Sequence, residues 1–289
     1  MASRTSPTVR RRRLASEMRR LRRESGKTRE EAARFADIAP ATVSRIEAAV
    51  HAPKVADIMA LCKFYGLDDE RTDVLVTLAR QSRQRGWCHQ YSGTIPEWFE
   101  VYVGLEEEAS EILTYESEHV PGLFQTDDYI EALLNAGLHT LPEDEIDRRV
   151  ALRLKRQERL IGNDAPKVWA VLNEAVIRRH VGGRETMSDQ LQHLCELAKR
   201  DHINIVVLPF SAGAHPAMEG SCNVLRFPEP ADPDVVYVQY RLGSIYLEDP
   251  SDVEEYVDLF DHLRSRALGP DESLALITKV ANELSEKAG

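Results

Sequence analysis

The sequence predicts two unlike halves: a mainly α N-terminal domain of five helices over residues 1–90, and a C-terminal α+β or mixed α/β domain over residues 91–289. Three observations predict this. Apolar residues in the first part recur at helical spacing, whereas further along helical stretches alternate with short β-branched runs. Charge divides at the same place: residues 1–90 hold 19 Lys and Arg against 11 Asp and Glu, net +8, and the remainder holds 18 against 37, net −19. The composition, 43% hydrophobic and 7% aromatic over 289 residues, is that of an ordinary globular chain.

The first helix is carried by Leu14, Met18 and Leu21, spaced i, i+4, i+7. Arg10, Arg11, Arg12 and Arg13 precede that pattern and are expected to form a basic N-terminal arm, with Arg19, Arg20, Arg22 and Arg23 following on the helix. A cationic domain of this size keeps its own field, because charges beyond a Debye length of about 8 Å are screened. Double-stranded nucleic acid is the polyanion it would meet.

The segment TREEAARFADIAPATVSRIE, Thr28 to Glu47, reads as two short helices joined by a tight turn, a helix-turn-helix. Thr28 and Glu31 form a capping box, and Ala32, Ala33 and Phe35 supply packing residues. Asp37 stands where the chain must turn and tolerates left-handed backbone better than most residues. Pro40 suits the first position of the second helix, where a missing N–H removes no bond. Val43 and Ile46 face inward, leaving Pro40, Ala41, Thr42 and Arg45 at the outer face near the helix start, the part that meets base edges in a major groove. Two further helices complete the domain: Val55–Tyr65, with Ile58, Leu61, Cys62 and Tyr65 inward, and Glu70–Arg85, with Val74, Leu75 and Leu78 inward.

Gly26, the T-x-E-E start and V-S-R-I-E at Val43–Glu47 resemble the helix-turn-helix of the phage-repressor-like, xenobiotic-response-element regulators. The resemblance implies that Arg29 clamps phosphate, that Arg22 and Glu47 form a largely buried structural ion pair, and that the protein binds DNA as a homodimer reading two half-sites. Three positions depart from that family: Asp37 for a turn Gly, Ala39 for a capping Ser or Thr, and Ala49 for a Gly after R-I-E. With few polar groups on the reading face, direct base contact is thin. Arg45 suits guanine or a phosphate, and Ala41 and Thr42 suit a thymine methyl, so DNA shape is expected to contribute.

In the acidic half, helices are expected over about Pro96–Ser110, Asp127–Ala136, Pro142–Ile161, Arg184–Arg200, Ser251–Ala267 and Asp271–Lys287. An extended stretch at Ile112–Val120 and strands at Lys167–Leu172, Asn204–Leu208, Asn223–Phe227 and Val235–Arg241 supply a sheet. Arg149, Arg153 and Arg156 share one side of a helix whose other side carries Val150, Leu154 and Ile161. A solvated face is the plain reading of such a row; an anion or partner-carboxylate site is the sharper one. Gln125 and Tyr129, after a Pro-Gly turn, are candidates to add hydrogen bonds to a ligand, and His215, in SAGAHPAMEGSC, is the remaining candidate, where it could meet Glu219 and Cys222.

VPGLFQTDDYIEALL (Val120–Leu134), RRVALRLKRQERL (Arg148–Leu160), WAVLNEAVIRR (Trp169–Arg179), LPFSAGAH (Leu208–His215) and DPDVVYVQY (Asp232–Tyr240) look like the uncharacterised C-terminal domain of actinobacterial WhiJ-type regulators. That resemblance implies an antitoxin-like transcription factor and names a partner class: a small protein encoded nearby. Together the readings describe a dimeric DNA-binding repressor or antitoxin-like factor controlled through its C-terminal half by that partner or by a ligand. The alternatives are an interaction module within a toxin–antitoxin-like complex and a ligand-processing enzyme with a DNA-binding appendage.

Other classes find little support. Cys62, Cys88, Cys195 and Cys222 are separated by gaps of 26, 107 and 27 residues and contain no C-x-x-C pair, so no metal is expected. His180, His202 and His215 have no metal-helix spacing, and the chain lacks G-x-S-x-G and Walker sequences, so neither a catalytic residue nor a cofactor is expected. The longest apolar stretch, Ile203–Phe210, is interrupted by Asn204 and falls short of the roughly 18 residues of a membrane span. The arginine-bearing start has no apolar segment behind it, so it is not expected to act as a secretory signal, and a cytoplasmic location follows.

Overall fold

The computed structural model describes residues 7–50, 52–83, 87–91, 93–229 and 232–286. Its residues gather into two compact units: Met1–Gln90 with Val103–Glu108 and Glu229–Asp232, and Tyr91–Tyr102 with Ala109–Pro228 and Pro233–Gly289.

The first unit contains five α-helices: α1 (Pro7–Glu24), α2 (Arg29–Ala36), α3 (Pro40–Glu47), α4 (Val55–Phe64) and α5 (Asp69–Gln81). Leu14, Met18 and Leu21 of α1 meet Ala32, Ala33, Val43, Ile46, Ile58, Leu61 and Cys62 in one apolar core. The small Ala32 and Ala33 let α2 sit close to its neighbours. On α5 the inward residues are Leu75, Val76 and Ala79, while Val74 is 59% exposed. That corrects the sequence expectation for Val74: within V-L-V an apolar run does not reveal its inward face, and the next turn, through Ala79, decides it. This helix ends at Gln81, with Ser82 and Arg83 in a turn, short of the expected end at Arg85, which itself lies outside the described residues, as does the expected end of the last helix at Lys287.

The second unit is built on a six-stranded mixed sheet. After α6 (Glu97–Glu108) come β1 (Glu111–Glu116), α7 (Asp127–Asn135), α8 (Glu143–Gln157), β2 (Lys167–Asn173), α9 (Glu174–Arg178), α10 (Gly183–Leu197), β3 (Ile203–Leu208), β4 (Cys222–Arg226), β5 (Val235–Tyr240), β6 (Gly243–Leu247), α11 (Pro250–Arg266) and α12 (Pro270–Glu286). Strand order is β3-β2-β1-β4-β5-β6. β1, β2 and β3 run parallel, with Ile112 opposite Val168 and Ala170 opposite Ile205, whereas β4 to β6 are antiparallel. Parallel neighbours need long crossovers, which the helices between β1 and β3 provide. Leu113, Tyr115, Val171, Val206 and Val224 form one buried face, closed by Phe260 and Leu263 of α11. No helix of the described residues is long and apolar enough to cross a membrane.

Two elements were not legible beforehand. β6 follows β5 through Arg241 and Leu242, a turn without Pro, Asn or Asp, and α9 continues β2 with only Asn173 as cap, its Oδ1 accepting from the Ala175 N–H at 3.0 Å.

Candidate nucleic-acid interface

Helix α3 is positioned by local chemistry around it. At the start of α2, the Thr28 hydroxyl oxygen accepts from the Glu31 N–H at 3.2 Å, while the Glu31 carboxylate accepts from the Thr28 N–H at 2.8 Å. The bond from the Thr28 N–H, and after it one from the Thr28 hydroxyl at 3.0 Å, hold the Glu31 carboxyl below its ordinary value. The turn is made by Asp37 in left-handed backbone, φ 54°, and the Ile38 N–H donates to the Ala33 carbonyl at 3.0 Å. Ala39 then occupies the cap of α3 with no side-chain bond, and Pro40 stands in its first turn. After α3 the chain leaves through Ala49, also left-handed at φ 54°, with the Val50 N–H donating to the Arg45 carbonyl at 3.1 Å.

The underside of this motif is pinned by a single carboxylate. Glu47 is 1% exposed. Arg22 of α1 donates to it twice, Nε to Oε1 at 2.5 Å and Nη2 to Oε2 at 3.2 Å, and Arg29 of α2 donates Nε to Oε2 at 2.8 Å. Arg22 also donates Nη1 to the Lys27 carbonyl at 3.0 Å, and the Arg19 guanidinium bonds the Glu47 carbonyl oxygen. Burial alone pushes the Glu47 carboxyl up, but the bonds and charges of Arg22 and Arg29 outweigh it and hold the group below its ordinary value. One side chain thereby ties together α1, α2 and α3.

On the opposite side, Pro40, Ala41 and Arg45 are exposed and Thr42 is half-buried. Arg45 lies along its own helix, Nε donating to the Ala41 carbonyl at 3.2 Å and Nη2 reaching the Thr42 hydroxyl at 3.4 Å. Both contacts are solvent-exposed, so little holds the guanidinium away from an incoming acceptor.

Two features of the basic residues were not foreseen. Arg29 is engaged by Glu47 through its Nε, although 44% of its side chain remains exposed. Arg10 to Arg13 do not form the expected arm: they lie in α1, with Arg12 7% exposed and the other three half-buried. Desolvation lowers the Arg11 guanidinium. Four consecutive helical residues span 300° of the helix circumference, so they cannot all face water. Arg12 lies three residues from both Val9 and Ala15, in the buried stripe. Arg19, expected only as one of the basic residues of the first helix, in addition bonds the Glu47 carbonyl; its three-residue spacing from Arg22 was the available signal.

In the second unit, Gln125 and Tyr129 hold the loop after β1. Gln125 donates Nε2 to the Val120 carbonyl at 2.7 Å, and the Tyr129 hydroxyl accepts from the Val120 N–H at 3.1 Å. Gln157 donates to the Gln125 carbonyl and Gln190 to the Phe124 carbonyl, both at 2.7 Å. Since Tyr129 is wholly buried, its hydroxyl is a loop anchor rather than an open ligand contact.

His215 has its Nε2 at 3.5 Å from the Tyr115 hydroxyl, with the rings edge-on at 5.8 Å. Burial, followed by Arg266 and His262, lowers its imidazole. Among the described residues no hydrogen bond joins His215 to Glu219 or Cys222. Cys222 is buried and its thiol pushed up to about 12, first by desolvation and then by Glu116, which makes it a poor nucleophile.

α8 departs in part from what its sequence implied: Val150 is buried as expected, but the helix ends at Gln157 rather than Ile161. Leu154 and Ile161 are 41% and 68% exposed, whereas Arg156 is 6% exposed. Arg156 lies over the rings of Phe99 and Tyr102, at 5.1 and 5.6 Å from their centres. Arg149 pairs with Glu145 at 2.5 Å. Arg156 is buried together with Val150 and Leu152, while Arg149 and Arg153 are half-buried.

Compared with known families, residues 13–75 match one described as a helix-turn-helix domain, and residues 99–279 match one described as a domain of unknown function (DUF5753). No curated protein and no solved structure matches the chain.

Proposed function

From the premise that the chain belongs to the DUF5753 domain family and carries a helix-turn-helix domain, we propose that it is a sequence-specific regulator of transcription, binding double-stranded DNA as a homodimer. In this reading it is a repressor or antitoxin-like factor of the cytoplasm, resembling WhiJ-type regulators. The second unit takes up a small partner protein or a ligand, and no catalytic step is involved. The observation that carries the reading is the solvent-facing start of α3, with Pro40, Ala41, Thr42 and Arg45 presented on a helix whose other side is bound through Glu47. A change in subunit spacing would release DNA without altering that face, because dimeric readers span half-sites about one helical turn apart.

The test is footprinting of the purified protein on the DNA upstream of its own gene, with and without the neighbouring small protein. A discrete protected site is expected. With about six phosphate contacts, affinity should fall roughly 10³-fold between 50 and 200 mM salt. No protection at low salt, or an affinity indifferent to salt, refutes the proposal.

A further inference from the structure

Helix α8 contains a cation without a counter-ion. Arg153 makes no hydrogen bond among the described residues, and its Nη1 is buried without a partner. The charged groups that act on it are Arg156 and Arg149, both of its own sign. Burial, then these two neighbours, push its guanidinium down to about 10. One turn away the Arg149 Nε is also buried and unpartnered, although Nη2 of the same residue holds Glu145. Next to α8, the loop after β1 leaves the Gln125 Oε1 buried without a donor.

These features are unfavourable in an empty protein. A desolvated guanidinium beside two others is disfavoured both by lost hydration and by repulsion. Elsewhere the chain meets that need with carboxylates: Arg22 and Arg29 share Glu47, and Arg226 has Glu111 at 2.7 Å. The half of the chain that holds Arg153 has 37 acidic residues, yet among the described residues none acts on it. Exposing Leu154 while burying Arg156 one turn from Arg153 is likewise against the ordinary hydrophobic preference of a helix.

We propose that Arg153, with Arg149 beside it, forms a binding site for a small oxyanion, the carboxylate or phosphate group of a low-molecular-weight ligand. A planar guanidinium with free N–H groups is the side chain best matched to such a group. A small ion is favoured over a protein carboxylate because the unpartnered nitrogens are buried, beyond reach of a side chain docked on the surface. This goes beyond the DNA-binding reading, and it supplies a ligand class for the second unit.

The experiment is calorimetric titration of the full chain with inorganic phosphate and, separately, with succinate, each at fixed ionic strength against chloride. Saturable binding of one of the two is expected, and which of them binds separates a phosphate ligand from a carboxylate one. Arg153→Gln should weaken it at least about tenfold, the loss of a charge-assisted bond, while Arg45→Gln leaves it unchanged. Failure of both anions to bind, or loss of binding in Arg45→Gln rather than Arg153→Gln, overturns the site. So does binding only of the small partner protein through Arg153. A second measurement covers the case in which Arg153→Gln does not fold. In buffer free of oxyanions Arg153→Met should melt at or above the temperature of the unaltered chain, since an uncompensated charge is removed; an Arg with only a structural role would make that variant melt lower. No DNA is present in either arm, so the outcome is independent of the function proposed for the first unit.

Discussion

Replacing Glu47 by Gln tests the packing of the reading helix most directly. The substitution keeps the volume but removes the charge that Arg22 and Arg29 share, and it turns an amide N–H toward one of them. Arg22 is 14% exposed, so breaking this pair belongs to the class of buried ion pairs, where loss of one member costs roughly 3 to 5 kcal/mol. Arg29 is 44% exposed, and water takes over most of its contribution, leaving about 0.2 to 1 kcal/mol. The expected loss is therefore about 3 to 5 kcal/mol, dominated by Arg22. A chain with two units need not melt in one step, so amide hydrogen exchange at Val43 and Ile46 is the suitable assay. At neutral pH exchange there should accelerate at least roughly 10²-fold. The double change Arg22→Gln with Glu47→Gln should lose little more than either alone, as expected for coupled partners.

The pH dependence supplies an internal check. Glu47 has a folded-state value below its ordinary one, so its stabilisation is present above the unfolded value of about 4.3 and is lost as pH falls through the folded value. The difference between the unaltered chain and Glu47→Gln should accordingly be full at pH 7 and shrink in acid. An exchange rate within a factor of about five of the unaltered chain at pH 7, close to 1 kcal/mol, refutes the reasoning; so does a difference that persists unchanged below the folded value.

Two further outcomes follow from the backbone and from the loop after β1. Ala49→Gly should stabilise the first unit by up to about 1 kcal/mol in the same exchange assay, because left-handed backbone costs an L-residue roughly 1 to 2 kcal/mol and the added chain entropy of Gly removes only part of the gain. Tyr129→Phe should destabilise the second unit by about 1 to 3 kcal/mol in denaturant unfolding, since the buried Val120 N–H loses its acceptor; oxyanion affinity should stay the same, and a loss of binding without a loss of stability would return Tyr129 to a ligand role.

The fold was largely legible because helical and strand periodicity are local. Thr28 with Glu31, Asp37 and Pro40 each act within a few residues, so the helix-turn-helix could be placed from sequence alone, and the V-S-R-I-E resemblance pointed to the Arg22–Glu47 pair. What sequence could not resolve was which face of a polar helix turns inward. Around α8, Val150, Leu154 and Ile161 suggested one apolar inward side, yet only Val150 is buried, and Arg156 packs against Phe99 and Tyr102, residues more than fifty positions away. Arg12 is the same problem in α1. Gln125 and Tyr129 were recognised as polar groups near a turn, but whether such groups face a ligand or close a loop depends on Val120, whose backbone direction only the folded chain specifies.

Arg45 separates reading from positioning. Of the four residues presented by α3, only Thr42 and Arg45 carry polar side-chain groups, and Arg45 must leave the Ala41 carbonyl and the Thr42 hydroxyl to meet a base. Those exposed contacts are weak, so most of a bidentate contact to guanine, about 1 to 3 kcal/mol, would be retained. Arg45→Ala should therefore lower affinity for the protected site roughly 5- to 100-fold while leaving binding to unrelated duplexes within about twofold. Glu47→Gln, which loosens the whole helix without touching its outer face, should weaken both alike. Measured by fluorescence anisotropy at one salt concentration, an equal loss on specific and unrelated DNA in Arg45→Ala would assign that side chain to phosphate. Sequence preference would then rest on the deformability of the duplex and on how firmly Glu47 holds α3 against it.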